Sequence, residues 1–293
     1  MPGRHDASCH PPPVARGPCL GSVSGVTIYL DLTREFNAGD QRAILSSGQA
    51  VVLHRLAVMS KDGDWIVRES HEALAHVLEA LSRRQARCRF GAPLDVRWMA
   101  GGWSAHFEFA APPLRVRTDF VTRPPRLGRS DLEALWREQA GKEMPFVDIR
   151  RLIELKKTNR EKDYAVIGEL ARLLESPSER LLASRSAREL AAFAAAEPTL
   201  VRELSARRPV LAHAAEPIAA LEAALDAERR ELMHAHERRI EGYLGAASAW
   251  QALWPDVQRE IEGMPLLRAH ERVVARALGT LPFEALETAE PSP

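Results

Sequence analysis

Cysteine is scarce in this chain: 3 among 293 residues, Cys9, Cys19 and Cys88, with no close CxxC pair. That excludes a disulfide framework and a thiolate zinc site, and it makes a reducing cytoplasm the expected setting. Long hydrophobic runs are missing too. No stretch reaches the roughly 18 apolar residues of a membrane span, so no membrane partner is expected. Arg4 and Arg16 have no continuous apolar stretch behind them, so no signal peptide is read. Nor does one sign of charge prevail. Lys plus Arg and Asp plus Glu number 40 each. The whole chain therefore carries no global footprint for nucleic acid, although a local basic groove stays open. What is present is 45% hydrophobic and 27% charged residues, the profile of a globular protein long enough for one large domain or two ordinary ones.

Residues 1–25 hold Pro11-Pro12-Pro13, Gly and Ser with little apolar content, and are expected to be a disordered leader. From 26 to about 175 the pattern is mixed. Helical spacing marks 28–36, 49–56 and 70–84, where Leu74, Val77, Leu78 and Leu81 share one face. Trp65-Ile66-Val67 is a short apolar run. Strand-like pieces follow at 94–99, 105–109 and 114–121, separated by Gly101-Gly102, read as a hairpin turn, and Pro112-Pro113. Helices are read at 131–139, 147–158 and 163–174. The expected class is α+β: a small mixed β-sheet flanked by helices, followed by a helical region over 176–293. In that last part the prolines at 198, 209, 217, 255 and 265 are expected to break helices. The stripe Leu221, Leu225, Leu232, Ile240, Leu244 and Ala247, in one long helix over 218–253, reads as the core of a bundle.

Chemistry concentrates in Ser46-Ser47-Gly48-Gln49 and Ser60-Lys61-Asp62-Gly63-Asp64-Trp65. In a strand, residues i and i+2 share a face, so Asp62 and Asp64 would stand side by side. Two carboxylates that close repel unless a cation sits between them. Mg²⁺ suits such a pair, because it takes oxygen ligands and fills its remaining positions with phosphate and water. Asp119, out of step with the apolar set of 114–121, is the candidate third carboxylate. The small-residue turn at Ser47 and Gly48 allows backbone amides to approach a phosphate at the start of a helix. A competing reading takes Asp62-Gly63 as an ordinary hairpin turn that needs no metal.

These residues resemble the nucleotidyltransferase superfamily, whose pattern is a Gly pair, a spacer of about a dozen residues, an Asp-apolar-Asp-apolar strand and a later third Asp. Here Ser47-Gly48 stands at the pair, thirteen residues intervene, and Asp62-Gly63-Asp64-Trp65 follows. Gly48-Gln49-Ala50, Lys61-Asp62, the run Leu152-Ile153-Glu154-Leu155-Lys156 and the segment Arg160-Glu161-Lys162-Asp163-Tyr164 are similar to bacterial members that include the AbiEii-type toxins. Two positions depart from the pattern: Ser47 replaces the first Gly, and Gly63 replaces the apolar residue between the acids. The resemblance spans roughly 26–175. It implies Asp62, Asp64 and Asp119 as catalytic and metal-binding residues, Mg²⁺ as cofactor, and Ser47, Gly48 and Lys156 as contacts to a nucleoside triphosphate. The acceptor hydroxyl is left open among RNA, protein and a small molecule, and an antitoxin protein is an implied partner for toxin-like members. Two other readings stay open: a member that binds nucleotide without catalysis, and a helical partner-binding protein working through 178–293. Lys162 reads as the solvated side of a helix, and Asp163 as the partner of a nearby base. His234 and His236, two apart on a helix, do not share a face and read as solvated surface rather than as a metal site.

Overall fold

The computed structural model describes residues 25–285, so the expected leader, with Cys9 and Cys19, falls outside the described residues except for Gly25, which opens a helix instead. Five strands form one mixed sheet: β1 (Ala43–Ser46), β2 (Asp62–Val67), β3 (Arg87–Cys88), β4 (Ala105–Ala111) and β5 (Leu114–Val121), in spatial order β1-β2-β5-β4-β3. β2 and β5 run parallel, and the other neighbours are antiparallel. Thirteen α-helices pack around or beyond the sheet among the described residues. This is the α+β architecture expected, with its helical C-terminal region.

Strand alternation divides the core in two. Trp65, Val67, Phe107, Phe109, Val116 and Phe120 point to one face and are buried with residues of α1 (Gly25–Phe36) and α3 (His71–Arg83). Ser70 caps α3 by accepting a hydrogen bond from the Ala73 amide. Ile44 and Ile66 point to the other face. There they meet α2 (Ser47–Leu53), α5 (Arg129–Gln139), α6 (Ile149–Leu155) and α7 (Glu161–Arg172). At the sheet edge, Leu45 N donates to Pro145 O at 3.0 Å and Val147 N to Leu45 O at 2.9 Å, which anchors the chain entering α6.

Several expectations change. The stretch 94–99 is not a strand: α4 (Val96–Met99) forms because Asp95 caps it, accepting from the Arg97 amide. Gly101-Gly102 is not a hairpin turn. The two amides donate to Trp98 O and Met99 O, winding the chain out of α4. The hairpin is β4–β5, with Ala111 opposite Leu114. Strand β1 was not anticipated, and Asp62-Gly63 lies inside β2 rather than in a turn.

The C-terminal region contains α8 (Pro177–Ala183), α9 (Ala187–Ala196), α10 (Pro198–Ser205), a 3₁₀ turn (Pro209–His213), α11 (Ile218–Ala246), α12 (Ser248–Glu260) and α13 (Leu266–Ala277). Pro198 and Pro209 open their helices, and Pro217 and Pro265 directly precede theirs, as the missing N–H of proline favours. Pro255 breaks nothing and sits within α12. The expected long helix ends at Ala246, and its stripe is not one bundle core. Leu221 and Leu225 join a cluster with α8–α10, Leu232 packs toward the sheet-side core, Ala247 belongs to a third cluster, and Leu244 is half exposed. That third cluster joins Trp98 and Trp103 to Trp250, Trp254, Val273 and Leu281. Among the described residues no helix is long and apolar enough to cross a membrane.

Candidate functional site

Asp64 lies in the middle of the sheet, opposite Ser46 of β1 and opposite Asp119 of β5. Asp62, two residues earlier on β2, shares its face. Parallel pairing of β2 with β5 therefore gathers the three aspartates named from sequence. The buried environment and the negative charges of Asp119 and Asp62 push the Asp64 carboxyl up to about 6, against the opposing pull of Lys156 and of a hydrogen bond from the Ser47 side chain. One oxygen of Asp62, Oδ1, is buried without a hydrogen-bond partner.

Ser47-Gly48-Gln49 binds this strand at three levels. The Ser47 hydroxyl donates to Asp64. Gly48 lets the chain at Ser60 come close, since a Cβ there would stand 2.2 Å from Ser60 Oγ. Gln49, buried, donates from Nε2 to Ser60 O at 3.1 Å and Asp62 O at 3.2 Å. Ser47 holds φ 49°, the left-handed region that favours glycine, so a residue with a side chain adopts a glycine-like backbone shape here. Gly63 has a packing reason. A Cβ there would lie 2.4 Å from the Trp65 ring and 2.5 Å from that of Tyr29. Tyr29 in turn donates its hydroxyl to Lys61 O at 2.6 Å. Burial and the negative charge of Asp62 push its phenol up to about 12.

Lys156 is the C-cap of α6 and is buried, with Nζ 3.5 Å from Asp163 Oδ1. It is therefore not part of a solvated basic face. Asp163, also buried, pairs with Arg160, as expected, and accepts from Thr158 Oγ1 at 2.6 Å. Lys162 is exposed. His234 is exposed as expected, whereas His236 is half-buried beside Arg126. Burial and that neighbouring cation depress its imidazole to about 4.

Three side chains at the site were not foreseen. His106, opposite Asp119 on β4, places Nδ1 2.7 Å from Asp119 Oδ1. Arg89 Nη1 lies 3.4 Å from the same oxygen, and Ser104 Oγ lies 2.9 Å from His106 Nε2. Counting back across the β4–β5 turn pairs His106 with Asp119, so the strand alternation held a signal for His106. Nothing in the spacing pointed to Arg89.

A divalent cation fits part of this donor set. The unpartnered Asp62 Oδ1 and the crowded Asp64 carboxylate are the oxygens a hard cation would satisfy, and Mg²⁺ needs only one or two protein carboxylates. Asp119 spends its Oδ1 on His106 and Arg89. Among the described residues no three His, Cys, Asp or Glu side chains are grouped so as to hold one ion.

Neither a protein-family model nor a curated protein matches the chain. A solved structure from H. pylori, provisionally described as a nucleotidyltransferase, is similar at 14% identity and a TM-score of 0.36, over 71% of this chain and 94% of that one.

Proposed function

We propose that the chain transfers a nucleoside monophosphate from a nucleoside triphosphate to a hydroxyl. The observation that carries this reading is the paired register of Asp64 with Asp119, with Asp62 on the same face and Ser47-Gly48-Gln49 clamped against them. Asp62 and Asp64 would hold Mg²⁺, which when bound offsets phosphate charge and polarises the phosphoryl group. Ser47 and Gly48, which open α2 beside the carboxylates, would contact the triphosphate. Lys156 is a buried point charge whose attraction reaches Asp64, and its ammonium lies against Asp163; it would offset phosphate charge. Asp119 belongs to the acceptor side, where it fixes the orientation of His106. The setting proposed is the cytoplasm, and an antitoxin-type protein partner remains part of the family-based reading.

The test is incubation of the chain with each labelled nucleoside triphosphate, Mg²⁺ and cell extract, followed by identification of the labelled species. The double variant Asp62→Asn/Asp64→Asn is expected to lose Mg²⁺-dependent transfer while keeping the near-ultraviolet circular dichroism of the parent. Equal transfer by that variant would sink the proposal.

A further inference from the structure

Where the sheet edge meets α11 and α12 there is a cavity of about 210 Å³. Trp103, Tyr243 and Trp250 line it with Leu244, Ala247 and Leu281, and its lining contains no Lys, Arg, Asp or Glu. The polar tips of the three aromatics are already used: Trp103 Nε1 donates to Pro282 O, Trp250 Nε1 to Gly91 O and Tyr243 OH to Gly102 O, each at 2.9 Å. These residues therefore offer a visitor ring and hydrocarbon surface, not hydrogen bonds. Beyond backbone, Ser104 and His106 supply the wall's remaining polar groups. His106 reaches from this wall to Asp119, which pairs in register with Asp64. Its ring is closely seated, since a Cβ at Gly91 would stand 2.4 Å from His106 Cδ2.

The Asp119 carboxylate accepts from Nδ1–H, which leaves Nε2 as the ring's acceptor beside Ser104, a second residue of the cavity wall. The Ser104 hydroxyl donates to Nε2 at 2.9 Å, and a substrate hydroxyl would take its place on that nitrogen as Ser104 rotates away. We infer that this cavity seats the acceptor, an alcohol or phenol carried on an uncharged ring, with His106 as its general base. The inference rests on the nucleotidyl-transfer reading and names the acceptor class for it. In the step, the acceptor oxygen bonds to the α-phosphorus and the bond from that phosphorus to the bridging oxygen breaks. Pyrophosphate leaves with the electron pair, and the acceptor proton passes to His106 Nε2. Asp119 stabilises the imidazolium that results. An RNA end would need cations along the cavity wall, and the lining has none.

The experiment uses the full chain, 4-methylphenol as probe, toluene as the matched ring without a hydroxyl, and each nucleoside triphosphate with Mg²⁺. Binding of probe and of nucleotide is followed separately by NMR titration, and turnover by pyrophosphate release. The wild type is expected to bind 4-methylphenol saturably and to release pyrophosphate faster in its presence, with no acceleration by toluene. His106→Gln is expected to lower the accelerated rate about a hundredfold or more, the range typical of a lost general base, with nucleotide binding unchanged. Leu244→Trp, at a half-exposed position on the cavity rim, is expected to raise the probe concentration needed. Absence of saturable probe binding, binding without acceleration in a chain that binds nucleotide, or equal acceleration by His106→Gln overturns the inference. A chain that binds the probe in a Leu244-sensitive way but binds no nucleoside triphosphate overturns the nucleotidyl-transfer reading itself, and the acceptor role with it.

Discussion

A methyl group at Gly63 would stand 2.4 Å from the Trp65 ring and 2.5 Å from the Tyr29 ring, and neither ring can yield freely. Trp65 is fully buried, stacked on Phe120 at 5.4 Å, with Nε1 donating to Thr33. Tyr29 is buried and bonded to Lys61 O. Gly63→Ala is therefore expected to cost about 1–3 kcal/mol, as overpacking does, read as a lower urea midpoint at unchanged slope; an unchanged midpoint would contradict the packing argument. The residue types at the candidate site were legible because they follow chain arithmetic. Asp62 and Asp64 share a face by strand period, and Asp119 stands out of step with its apolar neighbours. The meaning of Gly63 was not legible, because Asp-Gly serves equally as a turn in isolation and only the two rings above it decide otherwise. Arg89 was hidden for a similar reason. It reaches Asp119 through pairing of a two-residue strand with β4, too short to leave a periodic signal.

Elements with strong local rules were readable: the capped, one-faced helix α3, and the β4–β5 hairpin. The misread ones were short. In α4 a single aspartate cap outweighs the apolar run that suggested a strand, and β1 is four residues whose pairing with β2 and with the 145–147 segment supplies what propensity does not. Helix α13 carries a burden that sequence periodicity does not show. His270 is buried on its inner face, Nε2 has no hydrogen-bond partner, and desolvation depresses its imidazole to about 4, partly offset by Asp95 and Glu271. A depressed imidazole means that the unfolded chain binds the proton more readily between pH 4 and 6.5. Stability supported by neutral His270 is thus present above 6.5 and declines as pH falls toward 4, by about 3 kcal/mol for a shift of this size. His270→Leu should flatten that part of the stability profile. Denaturation curves at pH 7, 5.5 and 4.5 check it, and an unchanged slope for the variant would assign the acid sensitivity elsewhere.

For the molecule as a whole, the division into a mixed N-terminal part and a helical remainder was visible in composition, but how the remainder is used was not. Its helices do not form one bundle. Instead α12 and α13 gather on Trp98 and Trp103 at the end of the sheet, a union of residues about 150 apart in the chain that no local pattern encodes. The chain then returns over those tryptophans. Trp98 Nε1 donates to Leu281 O at 3.1 Å, Trp103 Nε1 to Pro282 O, and Ala285 N to Gly101 O. Truncation after Leu278 is expected to shift tryptophan emission to the red and to lower stability by about 3 kcal/mol, from lost burial and three unmade bonds; emission and melting temperature equal to the full chain would show the return segment to be dispensable. This clasp also sets an order of events on the ribosome. Strands, carboxylates and the Ser47–Gln49 clamp are all encoded before residue 122, whereas Leu281 emerges more than 150 residues later. At synthesis rates of about 5–20 residues per second, a nascent chain spends many seconds with its acidic strand encoded before the residues that close the cavity over Trp103 follow.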